Sequence, residues 1–357
     1  MKTIRGLFRA ITIVALLFHV RSFASDISIS TSAAANNGEQ LIEKNVTTSA
    51  PVWCGDDHLV VDTDVAADET YPNIIDLSSK TDKKILSPKN LAATSCSPDG
   101  KWLLLIRIDA SDKEFWRFNL ETEQKELFAI GYGGIWSPDG KKVLFTAKQK
   151  GPQKIITPLE PQWDFYFAHE WPAGTGGAVA WLAGSETLVL ANKGKFYLQS
   201  NQEIIPLQLL VTSNWDERIY VIALKTSLQG DIYALVSAAE KSLGKPSGSR
   251  SRRLIKCSLD IQYKQIKCDE LTTTDEEVSE FDISRDGHRL VYVDMKKACL
   301  SQVTLEAGKE RCFSRKVSGN VSISPNGQRI TFSRDRENGK SHGYSFYARD
   351  LFVMQPK

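Results

Sequence analysis

The feature that most constrains the fold is a hairpin signature that recurs four times along the chain. The copies occupy residues 96–106, 136–146, 283–293 and 323–333. Gly100 and Gly140 are 40 residues apart, and so are Gly287 and Gly327. In each copy, Asp-Gly or Asn-Gly predicts a tight reversal, because glycine accepts positive φ there. The apolar run that follows is typical of a buried strand.

Three degenerate copies fill the intervals between the clear ones, at residues 53–61, 181–190 and 227–236. Seven copies between residue 50 and the end fit the ~40–50 residues of a propeller blade. We therefore predict an all-β β-propeller with seven four-stranded antiparallel blades. Six blades is the alternative, because the 147 residues from Gly140 to Gly287 are irregular.

The ends of the repeat array predict how the ring closes. The last copy continues into a third strand over residues 344–353, after which the sequence stops. We expect residues 40–48, just before the first copy, to supply the missing outer strand. Radial stacking of twisted sheets buries both faces of each sheet and leaves short, protected edges.

The Ser-Pro-Asp-Gly hairpins at residues 97–100 and 137–140 resemble the WD40-like repeat of TolB-type periplasmic proteins. The same repeat resembles the propeller domains of prolyl oligopeptidase-like peptidases. This resemblance covers nearly the whole chain and implies a fold more than an activity. We expect neither the α/β domain of TolB nor the hydrolase domain of the peptidases, because the propeller leaves no room for them.

The first residues have the pattern of a secretory signal peptide. Basic residues at Lys2, Arg5 and Arg9 precede an apolar run over residues 10–20. Small residues then lead to Ala24, near which we expect cleavage. The run has about 11 residues, whereas a bilayer span needs about 20. An uncleaved membrane anchor is the alternative.

The predicted domain organisation follows from these segments. Residues 1–24 form the signal peptide, and residues 25–40, rich in Ser, Thr, Ala and Asn, form a flexible leader. Residues 41–357 form a single propeller domain. We expect a periplasmic or secreted protein with no transmembrane segment in its mature form.

The composition limits the classes of partner. Hydrophobic residues make up 41% of the chain, which is ordinary for a soluble globular protein with a core. The formal net charge is only +2, so no global field indicates nucleic acid. We expect a monomer with a protein, peptide or glycan partner in the cell envelope.

The six cysteines predict three disulfides, since an even number suits an exported protein. Cys257 with Cys268, and Cys299 with Cys312, flank short turns and are expected to join outer hairpins. Equivalent positions in adjacent blades are neighbours, so Cys54 and Cys96 are expected to pair as well. A metal or redox site is the alternative, but no Cys-x-x-Cys spacing supports it.

Motifs for catalysis and for metal binding are missing. The chain has no Gly-x-Ser-x-Gly elbow and no phosphate-binding glycine loop with Lys-Ser/Thr. His58, His169, His288 and His342 are isolated in sequence, although they belong to different blades and could converge on the axis. We predict no catalytic residue, no metal ligand and no cofactor.

Two sets of residues are candidates for ligand binding. Asp62 and Asp64 follow a strand of the first copy, and Asp109 follows the equivalent strand of the second. Such loops would lie at one mouth of a propeller. Acid/base catalysis needs two carboxylates at a defined separation, which sequence cannot establish. Turn-forming, solubilising aspartates are the alternative.

The second candidate set lies in residues 160–177, which lengthen the third repeat. The aromatic and polar residues of interest are Trp163, Tyr166, His169 and Trp171. Rigid rings with polar neighbours suit sugar or peptide binding, because they supply contact area at low entropy cost. The alternative is an insertion whose rings pack on its own blade.

The sequence thus favours an exported, non-catalytic propeller that acts as a binding or protein-interaction scaffold in the cell envelope. The alternative is a secreted lyase or glycosidase acting on polysaccharide. The acidic mouth, the histidines and the aromatic insertion support that alternative. Histidine and carboxylate side chains converging on the channel would favour the enzyme.

Overall fold

The described part of the chain consists of strands joined by turns and loops. The computed structural model describes residues 38–47, 49–66, 69–85, 88–109, 114–146, 153–156, 166–167, 178–192, 194–200, 203–211, 219–239, 250–272, 276–304, 309–341 and 344–355. These residues form 28 strands and no helix, which confirms the predicted all-β class. Within these ranges, therefore, no helix could cross a membrane.

The strands form successive sheets in chain order. The first strand of the described residues is β1 (Gln40–Lys44). The first sheet contains β2 (Val52–Cys54), β3 (His58–Ala66), β4 (Glu69–Asp76) and β5 (Thr81–Lys84). The second sheet contains β6 (Leu91–Cys96), β7 (Trp102–Arg107), β8 (Glu114–Asn119) and β9 (Lys125–Ile130). The third sheet contains β10 (Tyr132–Trp136), β11 (Val143–Thr146), β12 (Gln153–Ile156) and β13 (Tyr166–Phe167).

A double sheet of eight strands follows. Its first half contains β14 (Ala178–Trp181), β15 (Thr187–Asn192), β16 (Lys195–Ser200) and β17 (Glu203–Val211). Its second half contains β18 (Tyr220–Thr226), β19 (Ile232–Ala239), β20 (Arg250–Asp260) and β21 (Gln265–Glu270). The β22 sheet contains β22 (Val278–Ile283), β23 (Arg289–Asp294), β24 (Cys299–Thr304) and β25 (Lys309–Arg315). The closing sheet contains β26 (Gly319–Ile323), β27 (Ile330–Ser341), β28 (Tyr344–Met354) and β1.

The double sheet departs from the prediction of separate four-stranded blades. Each half is antiparallel, but β17 and β21 pair in parallel, with Gln208 opposite Gln265 and Val211 opposite Cys268. The cause is the length of β17. Its first five residues pair with β16, and its last four extend beyond that strand onto β21.

The closing sheet confirms the expected contribution from the start of the chain. Strand β1 pairs antiparallel with β28, with Gln40 opposite Val353 and Lys44 opposite Asp350. Just after β1, a bridge between Val46 and Thr63 ties the chain to the first sheet. Both ends of the array are therefore held by one sheet, and no covalent link is needed there.

The core lies between successive sheets, because the central strands bury both faces. In β7, Leu103 and Leu105 pack with Val60 of the first sheet. Leu104 points the opposite way and packs with Phe145 of the third sheet. All three leucines are fully buried. The period-2 alternation of a strand thus gives each sheet two apolar faces for its two neighbours.

The recurring hairpin signature forms a turn with its own hydrogen bonds. The Ser137 hydroxyl donates to Asp139 Oδ1 at 2.5 Å and accepts the Lys142 amide at 2.9 Å. The Lys141 amide also donates to Asp139 Oδ1, and Gly140 has φ +73°. The same set of bonds recurs in the turns that begin at Ser97, Ser284 and Ser324. We call these the regular turns.

The three predicted disulfides are confirmed. The bonded pairs are Cys54–Cys96, Cys257–Cys268 and Cys299–Cys312. The first joins β2 to β6 and so links the first and second sheets. The second joins β20 to β21 and the third joins β24 to β25, each within one hairpin. Cross-links of this kind stabilise chiefly by restricting the unfolded chain, by about 2–4 kcal/mol each.

Two aspartates lie elsewhere than predicted. Asp62 and Asp64 were expected in a loop after a strand, but both belong to β3, which continues to Ala66. Asp62 is buried, and its Oδ1 accepts the Ala93 amide of β6 at 2.9 Å. The strand extends to Ala66 because its pairing with β4 continues as far as Glu69, and the Asp62 carboxylate also gives the Ala93 amide an acceptor between two sheets. Asp62 therefore has a structural role.

Candidate functional site

The first strands of neighbouring units, β6, β10, β14, β18 and β22, lie side by side. Side chains on these strands donate hydrogen bonds to backbone carbonyls of a neighbouring strand in the set. Ser95 Oγ donates to the Gly134 carbonyl at 2.7 Å, and Trp181 Nε1 donates to the Ile135 carbonyl at 3.2 Å. Thr226 Oγ1 in turn donates to the Trp181 carbonyl. These contacts link β6, β10, β14 and β18, and the contact between Lys225 and Asp282 adds β22 to the set around a common space.

That space is a cavity of about 440 Å³, which we call the channel cavity. Its wall comes from all five strands and from the turns that follow them. Apolar side chains form much of the wall, among them Ile135, Val179, Ala180, Leu224, Leu228 and Ile283. A concave, mostly apolar space with a few convergent polar groups is the usual form of a ligand site.

One ion pair lies in the wall of the channel cavity. Lys225 Nζ contacts Asp282 Oδ1 at 2.6 Å. The second oxygen, Asp282 Oδ2, accepts the Ile323 amide at 2.9 Å and the Ser322 hydroxyl at 3.1 Å. Asp282 is therefore held by the closing sheet, and it compensates the charge of Lys225.

The guanidinium of Arg285 crosses one end of the channel cavity. Its Nη1 donates to the Pro98 carbonyl at 3.3 Å and its Nη2 to the Pro138 carbonyl at 3.2 Å. Those carbonyls belong to the turns of the second and third sheets, whereas Arg285 belongs to the β22 sheet. Among the residues described, no carboxylate forms an ion pair with Arg285. Its positive charge is held in place by two neutral acceptors.

Two further polar groups of the cavity wall are buried without a partner. They are the indole N–H of Trp136 and the hydroxyl of Ser227, which are 6% and 2% exposed as residues. Neither group has a hydrogen-bond partner within the described part of the chain. A buried polar group without a partner is costly, so each such group calls for an explanation.

The sequence around Ser227 explains its free hydroxyl. In the regular turns an Asp or Asn two residues later accepts the serine hydroxyl, but here that residue is Gln229. The turn still forms through the backbone, with Gly230 N donating to the Ser227 carbonyl. It also packs closely on the next turn, since a Cβ at Gly287 would come within 2.7 Å of Ser227 Cβ. The hydroxyl is thus held in place but not bonded.

Of the residues predicted to bind a ligand, Asp109 is described in full. Its Oδ1 accepts Arg107 Nε at 2.8 Å and its Oδ2 accepts Asn90 Nδ2 at 3.1 Å. Hydrogen bonds from Arg107 and Asn90 hold the pKa of Asp109 below its usual range. Asp64 lies in β3, and its side chain is outside the described atoms. The structure does not bring Asp109 to the channel cavity.

The aromatic insertion lies mostly outside the described residues. Trp163, His169 and Trp171 fall there, as do all side-chain details of Tyr166. The backbone of Tyr166 and Phe167 forms β13, the last strand of the third sheet. Ligand binding by this segment stays a prediction.

The sequence analysis did not predict the polar residues of the channel cavity. Two positions that depart from the repeat could have identified them. Arg285 stands where Pro98, Pro138 and Pro325 stand in the other clear copies. Gln229 stands where those copies have Asp or Asn. The departures lie in consecutive repeats, and the structure brings both turns to the same cavity.

The described residues offer little for catalysis at this cavity. Asp282 is the one carboxylate on its described wall, and it is bonded to Lys225. Over the same ranges, no group of three His, Cys, Asp or Glu side chains could hold a metal ion. The arrangement instead presents one positive charge, on Arg285, that no described carboxylate pairs.

Comparison with known proteins identifies a fold. No protein-family model matches the chain, and no curated protein matches its sequence. Among solved structures, oligogalacturonate lyase from Vibrio parahaemolyticus aligns with a TM-score of 0.60 and 9% identity, covering 89% of this chain and 91% of that chain. The β-propeller domain of Cps50 (Swd1) from Myceliophteria thermophila aligns with a TM-score of 0.55 and 13% identity, covering 88% and 99%.

A third match is the β-propeller domain of the Trilobed protease from Pyrococcus furiosus, with a TM-score of 0.55 and 14% identity, covering 85% of this chain and 97% of that chain. Identities this low show the fold alone, and they show it over most of the chain. The predicted β-propeller is therefore confirmed. These three proteins differ in function, so the likeness does not decide between binding and catalysis.

Proposed function

We propose that this protein is an exported, non-catalytic β-propeller that binds its ligand in the channel cavity and acts as a scaffold in the cell envelope. The observation that carries the proposal is the positive charge on the wall of that cavity. Arg285 presents guanidinium donors there that no described carboxylate pairs, and aliphatic side chains form much of the wall around it. Such donors stabilise a bound acceptor more than they stabilise the fold.

The proposal favours binding over the enzymatic alternative. A glycosidase uses two carboxylates flanking the scissile bond, and one of them must be able to donate a proton. The described cavity wall supplies Asp282 alone, and both of its oxygens already accept hydrogen bonds or contact Lys225. A lyase or glycosidase would need its acids from elsewhere.

The proposed location rests on the disulfides. All six cysteines are bonded in pairs, and disulfides persist in oxidising compartments such as the periplasm or the extracellular medium. The predicted signal peptide, with cleavage near Ala24, leads to the same compartment. We propose that the mature protein is periplasmic or secreted, monomeric, and free of any cofactor.

The proposed blade number is seven. Five sheets have four strands each, and the double sheet consists of two antiparallel halves of four strands. Counting each half as a blade gives one blade per predicted repeat. The parallel contact between β17 and β21 then joins two neighbouring blades at their outer edges. Face-on averages from electron microscopy should show seven spokes, and six would contradict the count.

Capture of a partner with and without a blocked cavity tests the proposed function. Ile135 lies on the cavity wall and is 42% exposed, so Ile135→Trp narrows the cavity at little cost to the core. Ile261→Trp adds the same ring at a turn outside the cavity and is the matched control. Tagged proteins are exposed to native envelope and culture-medium fractions, and captured molecules are identified by mass spectrometry.

We expect the wild type and Ile261→Trp to retain the same molecule and Ile135→Trp to lose it. Equal capture by all three proteins would place the binding surface elsewhere. Turnover of a polysaccharide that Ile135→Trp abolishes would favour the enzymatic alternative.

A further inference from the structure

The channel cavity has a positive group, Arg285, that no described carboxylate pairs. Arg285 carries a positive charge that, in the described chain, meets only the carbonyls of Pro98 and Pro138. The wall's one described carboxylate is already compensated by Lys225. The cavity wall therefore suits an anion that can accept several hydrogen bonds from Arg285.

We infer that the channel cavity binds a carboxylate of an extended peptide, with Arg285 as its receptor; this inference rests on the proposed function and names its ligand class. A carboxylate accepts two parallel N–H bonds from a guanidinium, a geometry that a lysine cannot reproduce. Arg285 has five N–H donors, and the two carbonyls leave the others for a ligand.

The position of Arg285 shows that the charge is not required by the turn. Its turn makes the same internal bonds as the other regular turns, with Ser284 Oγ donating to Asp286 and accepting the Arg289 amide. The equivalent residue is Pro98 or Pro138 elsewhere, so the turn forms without any side-chain donor at this position. The guanidinium is therefore not needed to form the turn, and it lies at the wall of the channel cavity.

The rest of the wall selects a peptide over an acidic polysaccharide. Ile135, Val179, Leu224 and Ile283 offer aliphatic surface, which suits apolar side chains next to the carboxylate. A polyuronate carries an acid on every sugar and would need several positive groups. The described wall has one uncompensated charge, which suits a single carboxylate. That carboxylate belongs either to a peptide C-terminus or to an Asp or Glu side chain.

Fluorescence anisotropy with defined probes tests the inference. Three fluorescein-labelled hexapeptide pools are used: apolar peptides ending in Leu as the free acid, the same peptides as C-terminal amides, and amidated peptides with one internal Glu. Trigalacturonate is added as a competitor. The proteins are the wild type, Arg285→Gln, Arg285→Lys and Arg289→Gln. Arg289 is the matched control, because it bonds the Gly327 carbonyl of a neighbouring turn outside the channel cavity.

We expect the wild type to bind one of the two pools with a free carboxylate and to bind the plain amide pool at least about tenfold more weakly. The preferred pool identifies the source as a C-terminus or a side chain. Arg285→Gln should weaken binding by on the order of tenfold or more, Arg285→Lys should restore it in part, and Arg289→Gln should stay within about twofold of wild type. Thermal unfolding confirms that each variant is folded.

Three results would overturn the inference. They are equal binding of acid and amide pools, unchanged binding by folded Arg285→Gln, and no binding of any pool. Displacement by trigalacturonate at lower concentration than by unlabelled peptide would replace the peptide with an acidic polysaccharide. Failure here is distinct from failure of the proposed function. If envelope capture is lost in Ile135→Trp but kept in Arg285→Gln, the cavity binds a ligand without using this charge.

Discussion

The turn that begins at Ser324 and the turn that begins at Ser227 occupy equivalent places in their sheets, yet they differ in chemistry. The Ser324 hydroxyl donates to Asn326 and accepts the Arg329 amide. The Ser227 hydroxyl does neither, because Gln229 stands in place of the acceptor. A complete set of bonds stabilises the first turn, whereas the second leaves a buried donor beside the channel cavity. The difference shows that the repeats share one turn backbone but not one set of side-chain hydrogen bonds.

The largest expected effect concerns the glycines of two turns. Gly287 and Gly140 both have φ +73°, which strains any other residue by about 1–3 kcal/mol. A Cβ at Gly287 would also overlap Ser227 Cβ at 2.7 Å, whereas at Gly140 the nearest atom lies at 3.4 Å. Gly287→Ala should therefore lower the free energy of unfolding by about 1–3 kcal/mol more than Gly140→Ala.

Urea denaturation of both variants measures that difference. Equal losses would mean that the Ser227 turn does not pack on the Ser284 turn as described. In that case the fixed position of the Ser227 hydroxyl would have no support.

The next effect compares the two serines directly. Ser324→Ala removes a hydroxyl that makes two bonds and leaves the buried Arg329 amide without its acceptor, so we expect a loss of about 1–3 kcal/mol. Ser227→Ala removes a hydroxyl with no partner in the described chain and should change stability by less than about 0.5 kcal/mol. Calorimetric unfolding checks both values. A large loss for Ser227→Ala would contradict the comparison.

A smaller effect follows from restoring the regular turn. Gln229→Asp gives Ser227 the acceptor that the other turns have, so the protein should gain about 0.5–1.5 kcal/mol of stability. The same variant should bind a carboxylate peptide more weakly, because it places a negative charge beside the turn that carries Arg285. Stability and affinity are measured on one preparation. A gain in both would show that the added charge does not affect the ligand.

The smallest effect is a dependence on pH. Burial raises the pKa of Asp286, but hydrogen bonds from Ser284 and the His288 amide outweigh it and leave the pKa below its usual range. The folded state therefore binds this proton more weakly than the unfolded state does. Its contribution is present above about pH 4 and is lost as the pH falls below that value.

After solvent screening, this contribution is a few tenths of a kcal/mol. Asp286→Asn should flatten the acid limb of the stability curve by that amount. The equivalent Gln229 does not titrate, so Gln229→Asn, which exchanges one neutral amide for another, should leave that limb nearly unchanged. An identical response in both variants would contradict the assigned role of Asp286.

Much of the fold could be predicted from the sequence because the determinants are local. Four Asp/Asn-Gly turns at regular spacing identified the hairpins, and the same spacing placed Cys54 beside Cys96. The parallel contact of β17 with β21 could not be predicted, because it depends on how far one strand extends past its neighbour.

The candidate site was harder to predict, since its residues are far apart in the chain. Arg285 contacts the carbonyl of Pro98, 187 residues away, and no local pattern encodes that contact. We predicted ligand binding by Asp64 and Asp109 because both were expected in loops at strand ends. The Asp109 carboxylate instead accepts hydrogen bonds from Asn90 and Arg107. The departures from the repeat at Gln229 and Arg285 were visible in the sequence, but their convergence was not.

Photo-crosslinking in the native envelope tests most directly whether ligand binds at the channel cavity. A benzophenone amino acid replaces either Leu228, which is 47% exposed at the cavity wall, or Tyr263, which is 64% exposed on a turn outside it. The account predicts a defined covalent adduct from position 228, absent in the Arg285→Gln background, and none from position 263. An adduct from position 263 alone, or none from position 228, would contradict it.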